Sequence, residues 1–191
     1  DTEFVRTDTY RPKLCLVQIA ASPEIGCIDT LAPLAFAAAW EALGRPELVV
    51  IAHAAKQDLE ALIRVMPRLP MRLFDTQIAA AFLGHPPQTG YAALVEAELG
   101  HTIAKTQTRT DWSRRPLTPE QLHYAAEDVA HLAELHDILS GRLRERGRER
   151  WVEEDSEALL DPSLYSVNPD QAWERRPAIA RAQCRDLIAL E

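Results

Sequence analysis

Hydrophobic positions in the first thirty residues follow the two-residue period of strands. DTEFV (1–5), KLCLVQIA (13–20) and IGCIDT (25–30) are short apolar runs rich in strand formers, with the turn-rich TDTYRP between the first two. Three such runs joined by short polar turns predict an antiparallel meander. From residue 31 the period lengthens to that of a helix in LAPLAFAAAWEALG, with Gly44 as its C-cap. LVVIAHAA is a buried-strand run, and the helix through QDLEALIRVM stops before Pro67. RLFDTQIAAAFLG passes from a short strand into a helix ending at Gly84, and TGYAALVEAELG is a helix bounded by glycines. The order β-β-β-α-β-α-β-α predicts an α/β domain, a mixed sheet flanked by helices.

The next helix has the strongest start signal. Thr118 is an N-cap, Pro119 takes the first helical position, and Gln121 completes a capping box. Its apolar stripe of Leu122, Ala125, Ala126, Val129, Leu132, Ala133 and Leu139 predicts one continuous helix. After it come GRLRERGRER, WVEEDSEALL, the turn-rich DPSLYSVNPD and a last helical stretch from Gln171.

Composition narrows the class. With 191 residues, 47% hydrophobic and 26% charged, the chain is expected to form a soluble globular domain with a sizeable core. No apolar run approaches the ~18 residues of a membrane helix, and no basic-then-apolar leader is visible. Cys15, Cys27 and Cys184 show no C-x-x-C spacing, which excludes a cysteine zinc ribbon and a disulfide scaffold. That usage fits a reducing compartment, and a cytoplasmic location is expected. A net charge of −8 does not suit a protein that holds nucleic acid by bulk electrostatics. It is no obstacle for an enzyme that holds divalent cations among carboxylates, because the bound ions offset the local sign, and composition alone does not decide between the two.

Candidate carboxylates follow from the pattern. Asp1 and Glu3 are two apart on a strand and so project to one face; alone, the pair is also an ordinary solvated strand end. Asp58 follows the strand LVVIA at the mouth of a helix, where an acid is commonly a first-turn dipole partner, yet strand ends are also where α/β sites collect. Tyr124 and Asp128 are four apart on the capped helix and share a face beside its apolar stripe. Four acids converging from separate elements repel one another unless a cation sits among them. Oxygen-only clusters select hard ions, Mg²⁺ or Mn²⁺, and a pair of such ions suits in-line displacement at phosphorus.

DTEFVR, HAAKQDLE and YAAED, in this order, resemble the three motifs of the DEDD superfamily of 3′→5′ exonucleases in its tyrosine-bearing branch. LCLVQIA, FDTQIAAAFLG, TGYAALVEAELG and RTDWSRRPLTPEQLHYAAEDVAHL resemble ribonuclease D, and the likeness continues to DQAW at 170–173. The resemblance implies a ribonuclease H-like mixed sheet in an exonuclease domain over 1–140. It makes 141–191 a helical extension leading towards a C-terminal helical domain of the helicase-and-ribonuclease-D type. It implies two divalent cations, Mg²⁺ or Mn²⁺, and removal of nucleotides one at a time from RNA with a single-stranded 3′ end, as in tRNA or other stable-RNA processing. On matching positions, Asp1, Glu3 and Asp128 would ligate metal directly, with Asp1 bridging. Asp58 would hold the second ion partly through water, Tyr124 would position the attacking water, and His53 would sit near the terminal nucleotide. The alternatives are a DNA 3′→5′ exonuclease of the same superfamily and a non-catalytic nucleic-acid-binding module.

His123 is one residue further from Asp128 than Tyr124, and its imidazole would be the better base. Helical rotation turns it about 140° away from Asp128, however, and so favours Tyr124. Lys105, Arg109, Trp112, Arg114 and Arg115 cluster in the loop before this helix, where cations could grip phosphates; for Trp112, core packing is the commoner fate of a loop Trp. The run Arg142–Arg150 is interleaved with Glu145 and Glu149 and predicts a solvated helix. His131 and His136 do not share a helical face, which argues against a zinc pair.

Overall fold

A computed structural model describes residues 1–6, 11–21, 23–33, 36–103 and 110–166. Lys105, Arg109, Cys184 and the helical stretch expected from Gln171 lie outside these described residues. Asp1–Asp161 form one compact unit, and a short 3₁₀ turn at Pro162–Tyr165 belongs to a second. Among the described residues, no helix is long and apolar enough to cross a membrane.

The predicted meander is present as β1 (Thr2–Val5), β2 (Lys13–Ala21) and β3 (Glu24–Asp29), antiparallel in the order β1-β2-β3. After α1 (Ala37–Leu43), β4 (Val50–Ala52) pairs in parallel with β5 (Leu73–Asp75), and α2 (Lys56–Leu62) lies between them in sequence. Both pairing senses of the expected mixed sheet are therefore present, divided between two small sheets. Next come α3 (Thr76–Leu83), α4 (Tyr91–Leu99), α5 (Pro119–Ala130), α6 (Leu132–Glu145) and α7 (Glu149–Ala158). Gly84 and Gly100 close α3 and α4 with φ of 103° and 71°, a left-handed backbone that glycine adopts without steric cost. Gly44 caps α1 with an ordinary negative φ.

One irregularity in the meander decides which side chains face which way. Glu3 pairs with Leu16 but Phe4 pairs with Leu14, so Cys15 is an extra residue in β2. Such a bulge breaks the strict alternation of faces. On its near side Leu14 joins Val17, Trp40, Ala61 and Met66 under α1 and α2. On its far side Leu16 joins Cys15, Trp112 and Ala125 under α5. The Cys15 carbonyl accepts from Arg115 Nη2 at 2.9 Å.

The capping box forms as expected: Gln121 N donates to Thr118 Oγ1 and Thr118 N donates to Gln121 Oε1. The single helix expected from 118 to 139 is instead two. At His131, where the backbone leaves helical geometry, the Tyr91 hydroxyl enters the hydrogen-bond ladder, donating to Glu127 O at 3.2 Å and accepting from His131 N at 3.1 Å. A side chain inserted between residues i and i−4 separates two helices without leaving either group unpaired. Leu122 leaves the expected stripe and is exposed. The larger core packs α3, α4, α6 and α7 through Ala80, Leu83, Leu94, Leu135, Leu139 and Val152.

The arginine run also departs from a solvated face. Arg142 pairs with Glu98, while Arg146 and Arg148 donate to the carbonyls of Leu83 and Phe82 at the end of α3. Those carbonyls have no intrahelical partner, and cations there favour the helix dipole. Arg144 and Arg150 keep exposed pairs with Glu149 and Glu154.

Candidate active site

The odd residues of the first strand meet α5. Each of Asp1, Glu3 and Asp128 offers a carboxylate oxygen, and these oxygens lie within 4.8 Å of one another. Asp1 also pairs with β2: Gln18 N donates to Asp1 O at 3.0 Å and Asp1 N donates to Gln18 O at 3.2 Å. Thr2, between the two acids, points to the opposite face and is buried. Its hydroxyl donates to Asp58 Oδ1 in the first turn of α2. Three consecutive residues thus recruit two helices from two sides of the sheet.

Burial that outweighs the few donors present shows in the acidities. Glu3 is pushed up to about 8, first by burial and then by the charges of Asp128 and Asp58. Asp128 is pushed up to about 6, chiefly by burial, against a lowering hydrogen bond from the Tyr124 hydroxyl. Asp58 is raised by burial, and the Thr2 hydroxyl opposes that shift. Burial and the neighbouring Asp128 and Glu3 charges raise the Tyr124 phenol as well, so it keeps its proton and remains a donor. A half-buried all-oxygen donor set that resists carrying its own charge is the chemistry that suits a hard divalent cation.

Tyr124 stands between this cluster and the Trp112 ring, 6.0 Å away between centroids. His123 is exposed on the same helix. His53 is fixed by the fold: Nδ1 is 2.9 Å from Thr76 Oγ1, and Nε2 donates to Thr89 O at 3.0 Å. Its ring meets the Tyr91 ring edge-on, and burial lowers its pKa, which keeps the imidazole neutral. Arg115 grips both Asp29 oxygens, at 2.7 and 2.6 Å, along with the Cys15 and Trp112 carbonyls. It therefore clasps the loop before α5 onto the bulge. Arg114 is exposed beside Asp111, and Trp112 is buried in the α5-side core.

Sequence reasoning passed over two groups. Asp75, 1% exposed, is the N-cap of α3 and accepts from Gln77 N and Ile78 N. It also accepts from Ala54 N at 3.1 Å and Ala55 N at 2.8 Å. It thereby shapes the turn that launches α2, where Ala54 holds a positive φ of 56°. The D-T-Q stretch after an apolar run was the available cap signal. The second group is His101, His131 and Glu134, whose ligand atoms approach within 4.8 Å. The His101 and His131 rings are stacked. Spacing along α5 and α6 could not show it, because His101 comes from beyond α4.

A family model described as 3′-5′ exonuclease matches residues 1–144. Ribonuclease D of Gluconacetobacter diazotrophicus is 46% identical over 176 residues, covering 92% of this chain and 45% of that protein. The chain spans less than half the length of the curated relatives it matches. Among solved structures, Escherichia coli RNase D, described as an exoribonuclease involved in structured RNA processing, superposes with a TM-score of 0.85 at 36% identity. That match covers 92% of this chain and 47% of the other. Brucella melitensis NrnC bound to pGG matches with a TM-score of 0.76 at 26% identity, covering 93% and 86%.

Proposed function

The chain belongs to the 3′-5′ exonuclease family and is similar to ribonuclease D, and on that footing we propose that it is a 3′→5′ exoribonuclease. The observation that carries the reading is the convergence of Asp1, Glu3 and Asp128 from β1 and α5 with raised acidities. Residues 1–140 form the catalytic domain in this reading, and the segment from 141 extends it with helices.

Asp1, Glu3 and Asp128 would hold one divalent cation, Mg²⁺ or Mn²⁺, and Asp58 would help hold a second, with Asp1 shared. When bound, such ions supply charge stabilisation to the phosphoryl group and leaving oxygen. The chain's own residues do the rest. Thr2 orients Asp58 by its hydroxyl, and Asp75 orients the turn before it. Tyr124 keeps its proton and donates it, which suits orienting a water for attack and not deprotonating one. An RNA with a single-stranded 3′ end fits, because an unpaired terminus can be splayed away from its neighbours to reach buried groups. A solved relative, NrnC, is described as bound to pGG, which is in keeping with a nucleotide ligand for this chain.

The test is digestion of 5′-labelled single-stranded RNA with Mg²⁺ or Mn²⁺, beside a DNA of the same sequence. A ladder shortening by one nucleotide at a time is expected for RNA. Faster cleavage of the DNA would move the chain to the DNA-directed branch, and binding without cleavage would make it a binding module.

A further inference from the structure

Gln18, in the middle of β2, is 2% exposed. Neither its amide nitrogen nor its amide oxygen has a hydrogen-bond partner among the described residues. A primary amide brings two donors and an acceptor into the interior, and leaving them unpaired forfeits all the hydration they had in water. An apolar side chain of the same length would carry no such penalty.

Register places this amide. Gln18 is the direct cross-strand partner of Asp1, and such partners project to one face with Cβ atoms about 5 Å apart. On its other side Gln18 pairs with Cys27 of β3. The Cys15 bulge puts Leu14 on the α1–α2 face but Leu16 and Gln18 on the α5 face. Gln18 therefore sits on the face of Glu3, where α5 brings Asp128 and Tyr124. It is too buried to meet RNA directly. Its neutral donors add no charge to a cluster that already carries too much.

We propose that Gln18 is a positioning residue for the carboxylate cluster: its amide, unpaired in the structure, donates to the Asp1 carboxylate only when Asp1, Glu3 and Asp128 close on a divalent cation. A donor on one carboxylate oxygen leaves the other directed at the ion, the usual role of groups behind metal ligands. The inference rests on the metal reading proposed above.

Gln18→Met keeps length and removes the amide, and Gln18→Leu repeats the contrast with a branched side chain if the first does not unfold cooperatively. Two quantities are measured on the full chain: Mn²⁺ affinity by calorimetry and the thermal midpoint in chelator. We expect Mn²⁺ affinity to weaken about 10- to 100-fold, with the chelator midpoint unchanged or higher because a buried unpaired group is gone. Unchanged Mn²⁺ affinity overturns the assignment. A lowered chelator midpoint alongside weaker binding marks packing damage and overturns it too. Asp128→Asn separates the two levels. If it binds Mn²⁺ as well as the parent chain, the metal reading itself falls and takes Gln18 with it. If it loses Mn²⁺ while Gln18→Met keeps it, only the Gln18 assignment falls.

Discussion

Two sets of buried acid stand close together in this fold and are treated in opposite ways. Asp75 is almost completely enclosed, yet four backbone N–H groups, from Ala54, Ala55, Gln77 and Ile78, point at its two oxygens. Its charge is answered by the chain itself, so it caps α3 and sets the turn into α2. Glu3 and Asp128 are less buried but have little to answer theirs. The donor on Asp128 is the Tyr124 hydroxyl, and neighbouring acids add to the upward shift of both groups. Burial alone does not separate a structural carboxylate from a functional one; the supply of donors does. In the proposed reading a cation completes the second set, whereas the first is complete as it stands.

The contrast is most exposed to Asp128→Asn. Removing one ligand charge at near-constant shape should lower turnover on single-stranded RNA by about 10³-fold or more, several kcal/mol of transition-state stabilisation. The folded state in chelator should be as stable as before or more so, because like-charge repulsion is relieved. Turnover near that of the parent chain would remove the cluster from catalysis.

Asp75→Ala should do the reverse. With buried N–H groups orphaned at an N-cap and a turn, a loss of about 3 kcal/mol in urea unfolding is expected. Mn²⁺ affinity should follow more weakly, through the turn that carries Asp58. A stability change within experimental error would erase the distinction between the two sets.

Tyr124→Phe removes the hydroxyl donor of the second set. Single-turnover rates at saturating Mg²⁺ should fall about 100-fold, in the range for misplacing one water-orienting group. His123→Ala, on the exposed side of α5, should stay within a few-fold. The opposite ranking would give the role to the imidazole.

The smallest effect is the most diagnostic of charge. Glu3 rises from 4.5 to about 8 and Asp128 from 3.8 to about 6. Below about pH 3 both are protonated folded or unfolded, and their contribution to stability is fully present. Between pH 4 and 8 the unfolded chain releases protons that the folded chain retains, so that contribution is lost as pH rises. Midpoints in chelator should therefore fall from pH 5 to pH 8. At pH 8, Mn²⁺ at tenfold excess over Kd should restore about 1.4 kcal/mol. A flat profile in chelator would mean the acids are already compensated, as Asp75 is.

Much of this was legible in the sequence where the signal is local. The D-x-E period, the four-residue step from Tyr124 to Asp128, the Thr118–Gln121 box and the caps at Gly84 and Gly100 each depend on neighbours within one turn or strand. What escaped depends on chain segments far apart. Arg146 and Arg148 look like surface charge until α3 ends beneath them. Continuous helical periodicity across His131 says nothing of a Tyr91 hydroxyl arriving from α4. Arg115 invites a phosphate until Asp29 is found opposite it. Gln18 reads as one polar residue in an apolar run, and only the unseen bulge at Cys15 tells which side of the sheet receives it.

The first strand has one further consequence, for how this domain can be edited. Asp1 and Glu3 serve one face of the sheet and Thr2 the other, so the motif has a parity. Inserting or deleting a single residue between Asp1 and the Leu16 pairing point, if the strand shifts by one, exchanges the faces. The threonine then stands among the acids, and a carboxylate enters the apolar layer of Val17, Trp40 and Met66. Length changes beyond Val5, outside the paired stretch, leave the parity untouched. A graft of this motif into another sheet must carry the odd–even frame with it, and three residues moved without their register would bring the letters but not the site.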